Sequence, residues 1–201
     1  FQYVDQNIKN IAIGLDAGNT DQGASGSGGT GTSAWGLGNS VAIGTSAGEQ
    51  KQNSSAVAIG NKAAQFDQQS LSVAIGYEAG FNDQGVPGSS ATGATGSSVA
   101  IGSFAGRLLQ SSYSIAIGHQ AGWQNQGGTG SALYNGSVAI GKRAGHFGQQ
   151  RESVAIGFSA GYTGQNEKAI AIGPQAGYIE QNENSIAMGE NAGRNLQKTD
   201  S

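Results

Sequence analysis

A chain of 201 residues is long enough for one sizeable domain or two small ones, yet Leu, Ile, Val and Phe make up only 36 of its residues, too few for a conventional core. The net charge of -3 lacks the repulsion that drives compositional disorder, and ten basic residues among thirteen acidic ones leave no footprint for nucleic acid or an anionic membrane. There are no cysteines, which excludes disulfide staples and thiolate metal sites, and no apolar run approaches the ~18 residues that span a bilayer.

In chain order, residues 1–9 form a lead-in, and from Asn10 the chain becomes periodic. Ala-Ile-Gly, once Ala-Met-Gly, recurs ten times, with its glycine at Gly14, Gly44, Gly60, Gly76, Gly102, Gly118, Gly141, Gly157, Gly173 and Gly189. Six of the nine spacings are 16 residues. The other three are 30, 26 and 23, and their excess falls in Gly/Ser/Thr/Ala-rich insertions at 23–39, 85–97 and 127–136, all leaving the same corner of the unit. Residues 10–197 are therefore expected to form one repeat domain of ten 16-residue units on an intact frame, followed by a tail at 198–201.

Within each unit, Ser-Val-Ala-Ile-Gly alternates small and β-branched residues, the period-2 pattern of a short strand. Repeated β-branched residues and glycines, with no 3.6-residue apolar stripe, exclude a helix. One 16-residue coil cannot bury its own apolar face, whereas stacked copies create a continuous core, so the pattern predicts an all-β parallel β-roll or β-solenoid. The interior is expected to be filled by pairs such as Val41 and Ile43, Val57 and Ile59, Val73 and Ile75, and Val154 and Ile156. The opposite face of the strand, carrying Ser, Ala and Gly, is expected to point outward and to be approached closely by another chain. Eight residues after every repeat glycine stands glutamine: Gln22, Gln52, Gln68, Gln84, Gln110, Gln126, Gln149, Gln165, Gln181 and Gln197. Two structural roles are open to this column, an amide ladder between coils or a corner residue that satisfies a backbone group.

Asn39-Ser40-Val41-Ala42-Ile43-Gly44 and its nine relatives resemble the repeat of YadA-like trimeric autotransporter adhesin heads. Similar repeats occur in phage tail fibres and giant-virus surface proteins, and the resemblance covers the chain from about Asn10 to Gln197. It implies a left-handed parallel β-roll, assembly of three chains into a homotrimer, and attachment to a host surface protein or glycan. An extracellular place on a bacterial cell or a virion is implied with it. The alternative is an inert spacer rod that only positions a distal receptor-binding tip.

Candidate binding residues fall in two sets. Five residues after the glycine, from the fourth unit onward, stand Phe81, Arg107, Trp123, His146, Tyr162, Tyr178 and Arg194, which register stacking would align into an aromatic and arginine stripe. Such a stripe suits a sugar or protein ligand, or simply stabilises the stack. The insertions carry Trp35, Leu37, Leu133 and Tyr134 on loops, where recognition usually resides. Catalysis, metal binding and cofactors are not expected: the histidines, His119 and His146, stand on different coils, no carboxylates pair at a recurring offset, and Asp21, Asp67 and Asp83 do not form a calcium-binding nonapeptide. Ice binding lacks the threonine row it would need.

Overall fold

The computed structural model describes residues 2–5, 10–23, 38–86, 96–128 and 136–197, with backbone alone at 2–5, 86, 196 and 197. Every regular element among them is a β-strand. Ten strands of one face, Asn10–Ile13 and then the three-residue strands from Val41–Ile43 to Ile186–Met188, stack in parallel without a register slip. Val41, Ala42 and Ile43 face Val57, Ala58 and Ile59, and so on to Ile172 facing Met188. Pairing runs directly across all three insertions, since Ile11 faces Val41, Val73 faces Val99 and Ile115 faces Val138. The insertions are thus added to an intact frame.

The second face is built from short parallel strands that carry the repeat glutamine, including Gln50–Gln52, Phe66–Gln68, Gln124–Gln126 and Ile179–Gln181. Single bridges at Thr20, Phe147 and Thr163 carry this face through coils that lack a full strand there. Ten coils at the usual interstrand spacing give a rod of about 43 Å. One strand, Gln2–Asp5, departs from the parallel pattern and lies antiparallel on Asn10–Ile13.

The interior inverts the sequence expectation. The fully buried side chains of the front strands are alanines, from Ala42 to Ala171, and the second alanine column, Ala47 to Ala176, is equally buried. Val41, Ile43 and their equivalents point outward, half-buried or exposed. The reason is thickness. Two flat faces closed by a 16-residue coil come too near for branched side chains to meet between them, so only alanine, serine and an extended glutamine fit. Small residues therefore line the inside, which removes the expected approach of a second chain to a small outward face.

Gln52, Gln68, Gln84, Gln110, Gln126, Gln149, Gln165 and Gln181 are the largest fully buried side chains. Each crosses the interior from the back face to the front. The Gln52 Nε2 donates to the Val41 carbonyl at 2.9 Å, and the same bond recurs from Gln68 to Val57, Gln110 to Val99 and Gln165 to Val154. It also reaches the next coil, with Gln52 donating to the Gln68 Oε1 at 3.1 Å and Gln68 to the Gln84 Oε1 at 3.0 Å. Both structural roles open to this column are realised in one side chain. The amide ladder is interrupted at the Oε1 atoms of Gln110, Gln149 and Gln165, which are buried without a partner, while the bond to the front strand persists in all three coils.

Two glycine columns make this thinness possible. A Cβ on any repeat glycine from Gly14 to Gly173 would come within 2.5–2.8 Å of the next glycine's carbonyl oxygen, so the corner admits no side chain. A Cβ at Gly48, Gly80 or Gly106 would strike the amide of its own coil's glutamine. The remaining corners are left-handed without glycine. Two residues after the repeat glycine, all ten side chains sit at φ 48–60°, including Phe104 and Arg143. Leu71 and Tyr113 occupy another left-handed corner at φ 61°.

Three substitutions test this arrangement by chemical denaturation. Ala116→Val overfills the interior and is expected to cost about 1–3 kcal/mol. Gln68→Met keeps the length of the brace but loses its hydrogen bonds, at roughly 1 kcal/mol net for each, and is expected to cost about 2–4 kcal/mol. Leu71→Asn places at an exposed left-handed corner the residue found there at Asn39 and Asn184, and is expected to stabilise by about 0.5–1 kcal/mol.

Candidate binding surfaces

Three surfaces emerge from the same stacking. The first is the outer side of the front sheet, where parity sends the Val and Ile side chains outward on every strand. They form two adjacent columns along the whole rod. Ile75, Ile101 and Ile117 each expose just over a third of their surface in the middle of the stack, and Ile13 and Met188 expose more near its ends. Leu15, Tyr77 and Phe158, each directly after a repeat glycine, widen the strip at their coils.

The second surface is the stripe five residues after the glycine, and the structure brings its members together in register. Trp123 and His146 lie 5.2 Å apart between ring centroids, His146 and Tyr162 4.9 Å, and Tyr162 and Tyr178 4.9 Å with nearly parallel rings. Arg194 lies over Tyr178, and Arg107 lies over Phe81 at 5.0 Å. Phe147, in the neighbouring back-face column, wedges edge-on against Trp123, His146 and Tyr162. The ring faces are thus turned along the rod axis and directed at one another. A flat sugar face needs an open ring face, so the geometry of this stripe favours cohesion between coils over ligand stacking.

Electrostatics concentrate on the same side. Arg107 donates through Nε to the Glu78 carboxylate at 2.7 Å in a largely buried pair. Burial pushes the Glu78 carboxyl up, but hydrogen bonds with Arg107 and Tyr77 outweigh it and hold it below the usual range, while the same Glu78 contact raises the Tyr77 hydroxyl. His146 is 6% exposed, and its Nδ1 is buried without a hydrogen-bond partner. Burial, reinforced by the charge of Arg143 and by His119, lowers it to about 4.

The third surface is a shallow polar cleft of about 350 Å³ at the insertion corner of the last coils, lined by Gln150, Asn166, Glu167, Asn182 and Glu183. Asn166 donates to Asn182 across the coils at 3.4 Å, and Glu167 is paired with Arg151 at 2.8 Å. The sequence reading missed this cleft because its residues vary from coil to coil. Of the loop candidates, Trp35, Leu37, Leu133 and Tyr134 lie outside the described residues. Among the described residues there is no group of three metal-ligating side chains, and no helix long and apolar enough to cross a membrane.

No protein-family model, curated protein or solved structure matches the chain.

The His146 environment gives a pH dependence with a definite sign. The folded value of about 4 lies below the ordinary 6.5, so the folded state favours the neutral ring. Its contribution to stability is complete above pH 6.5 and is lost as pH falls from 6.5 towards 4, at on the order of 1 kcal/mol per pH unit. Denaturant midpoints measured across that window for the native chain and for His146→Phe are expected to converge at pH 7 and to diverge towards pH 4, with the phenylalanine variant losing less.

Proposed function

We propose that the chain is a segment of an extracellular structural and adhesive fibre, assembled as a homotrimer of rods lying side by side and displayed on a bacterial or virion surface. The observation that carries this reading is the uncovered double column of Val and Ile on a rod whose interior is already complete. Twenty side chains of this double column, half-buried or exposed on every coil, amount to on the order of 1,000 Å², more than the largest apolar patch of an ordinary monomer and close to one partner's share of a stable interface. The strip is two side chains wide, broader where Leu15, Tyr77 and Phe158 flank it, and as long as the rod. Copies of the same rod, set around an axis parallel to it, would cover the strip along its full length, and a cyclic arrangement leaves none of it over.

The resemblance to trimeric adhesin heads supplies the number three and the attachment role, with a host surface protein or glycan as the target. The rod's regularity suits holding a surface at a fixed distance, and the insertions, leaving one corner, suit presentation to a partner. No catalytic role is proposed.

Light scattering is expected to give the mass of three chains, and a monodisperse monomer overturns the assembly. The triple variant Ile75→Asn, Ile101→Asn, Ile117→Asn is expected to lower the mass to one chain while keeping its β-sheet circular dichroism, because none of these side chains enters the interior. Beads coated with the chain are expected to bind cultured cells or matrix-coated surfaces. Binding that is unchanged after shortening the insertions at 23–39, 85–97 and 127–136 would count for an inert spacer instead.

A further inference from the structure

The back face of the rod is not held equally along its length. Among the described residues its strands fall into a five-stranded sheet, from Gln50–Gln52 to Gln124–Gln126, and a separate pair, Ile179–Gln181 with Asn195–Gln197. The two coils between them contribute only single bridges, at Phe147 and Thr163. The front sheet passes the same coils without a break, with Val138 facing Val154 and Val154 facing Ile170. Two further attachments weaken at this place. The amide ladder fails at the buried Oε1 atoms of Gln149 and Gln165. Each bridge is also followed by a left-handed glycine, Gly148 and Gly164, the first with nothing within 4 Å of its Cβ position.

Rings take the place of the missing backbone pairing. His146, buried on the seventh coil, lies between Trp123 of the coil before and Tyr162 of the coil after, with Phe147 against all three. A neutral imidazole can leave its enclosed Nδ1 unprotonated, whereas an imidazolium must place an N–H donor there, where no acceptor meets it. The charged and titratable groups around the ring are Arg143 on its own coil, His119 on the coil before and the Tyr162 phenol on the coil after. None of them supplies a negative charge in the acid range. Ring faces such as those of Trp123 and Tyr162 attract a cation. Burial, Arg143 and His119 prevail over that attraction and lower the His146 pKa to about 4.

We infer that His146 is an acid-sensitive latch: its protonation opens the back face of the seventh and eighth coils locally and frees the ring faces of Trp123 and Tyr162, while the front sheet stays paired. The closed form takes up the proton only near pH 4, and an open, solvated imidazole takes it up near 6.5. Closure is therefore fully supported above pH 6.5, and opening is promoted as pH falls from 6.5 towards 4. The aromatic stripe, whose rings are directed at one another in the closed form, gains open ring faces only in acid. The latch lies on the face opposite the Val and Ile strip and works within one chain, so it stands apart from the assembly proposed above.

Hydrogen exchange resolved by residue tests the latch in the full chain, because local opening and global unfolding expose different amides. The informative groups are the N–H of Phe147, Gly148 and Gly164, which donate across the coils to the carbonyls of Tyr162, Gln124 and Phe147. Their protection factors, corrected for the intrinsic pH dependence of exchange, are expected to fall roughly tenfold per pH unit between 6.5 and 4.5. Those of Val138 and Val154 on the front sheet are expected to stay constant. His146→Phe and His146→Tyr keep a ring in a column that already carries Phe81 and Tyr162, and both are expected to abolish the fall at the back-face amides. Constant protection at the three back-face amides, an equal fall on the front sheet, or the native pH response retained in either variant overturns the inference.

Discussion

The distance between the two faces of the rod is set by one side chain. Glutamine, fully extended from the back face, ends on the carbonyl of the front-face Val or Ile, as Gln52 does at Val41 and Gln165 at Val154. That bond fixes a gap in which two alanine columns fill the rest of the space, and it favours glycine at Gly48 and its equivalents, where a Cβ would press on the amide, with Ala64 the one exception, in the third coil. The repeat glycine is required for a second reason, the approach of successive coils at the corner. Alanine, glycine and glutamine are thus not filler between hydrophobic residues. They are the core, and its cohesion comes from hydrogen bonds and close small-residue packing more than from large apolar surfaces.

A core of this kind has a consequence for the outside. Branched aliphatics cannot enter it, yet the front strands keep them on every coil, on the outward side of the sheet. Strand propensity explains part of this, since Val and Ile favour the extended backbone. It does not explain why the outer position avoids threonine, which has a similar preference and would be better solvated. A column restricted to Val, Ile and one Met is what the proposed side-by-side assembly would need at its seam.

The period, the coil length, the position of the insertions and the register of the aromatic stripe were all legible in the sequence, because a stacked repeat converts identity of position into adjacency in space. The facing of the front strand was not. Alternation of small and branched residues is symmetrical, and assigning the larger residues to the interior follows hydrophobicity alone. The decisive signal was present in the pattern of exchange: Ala42 and its nine equivalents never vary, whereas the outer column admits Val, Ile and Met. The position that tolerates no change is the one enclosed on all sides. The left-handed corners were illegible for a different reason, since Phe104, Leu71 and Tyr113 occupy a conformation that their side chains disfavour and that only the stacking of neighbouring coils imposes.

Variation along the columns then separates frame from surface. The inner columns are nearly constant from end to end, while the position after the repeat glycine runs through Leu15, Thr45, Asn61, Tyr77, Ser103, His119 and Lys142 without affecting the register. Each coil contacts only its neighbours, so a change at an outer position alters one place on the rod and leaves the others untouched. The aromatic stripe lies between these extremes: it begins at Phe81, changes residue type at almost every coil, and still stacks wherever two rings are adjacent. Side chains that must meet only the coil above and the coil below are free to differ from those farther away. This is why a rod with a uniform interior can carry a charged pair at Glu78 and Arg107, a buried histidine at His146 and a polar cleft at Asn166 and Asn182 on its outer columns.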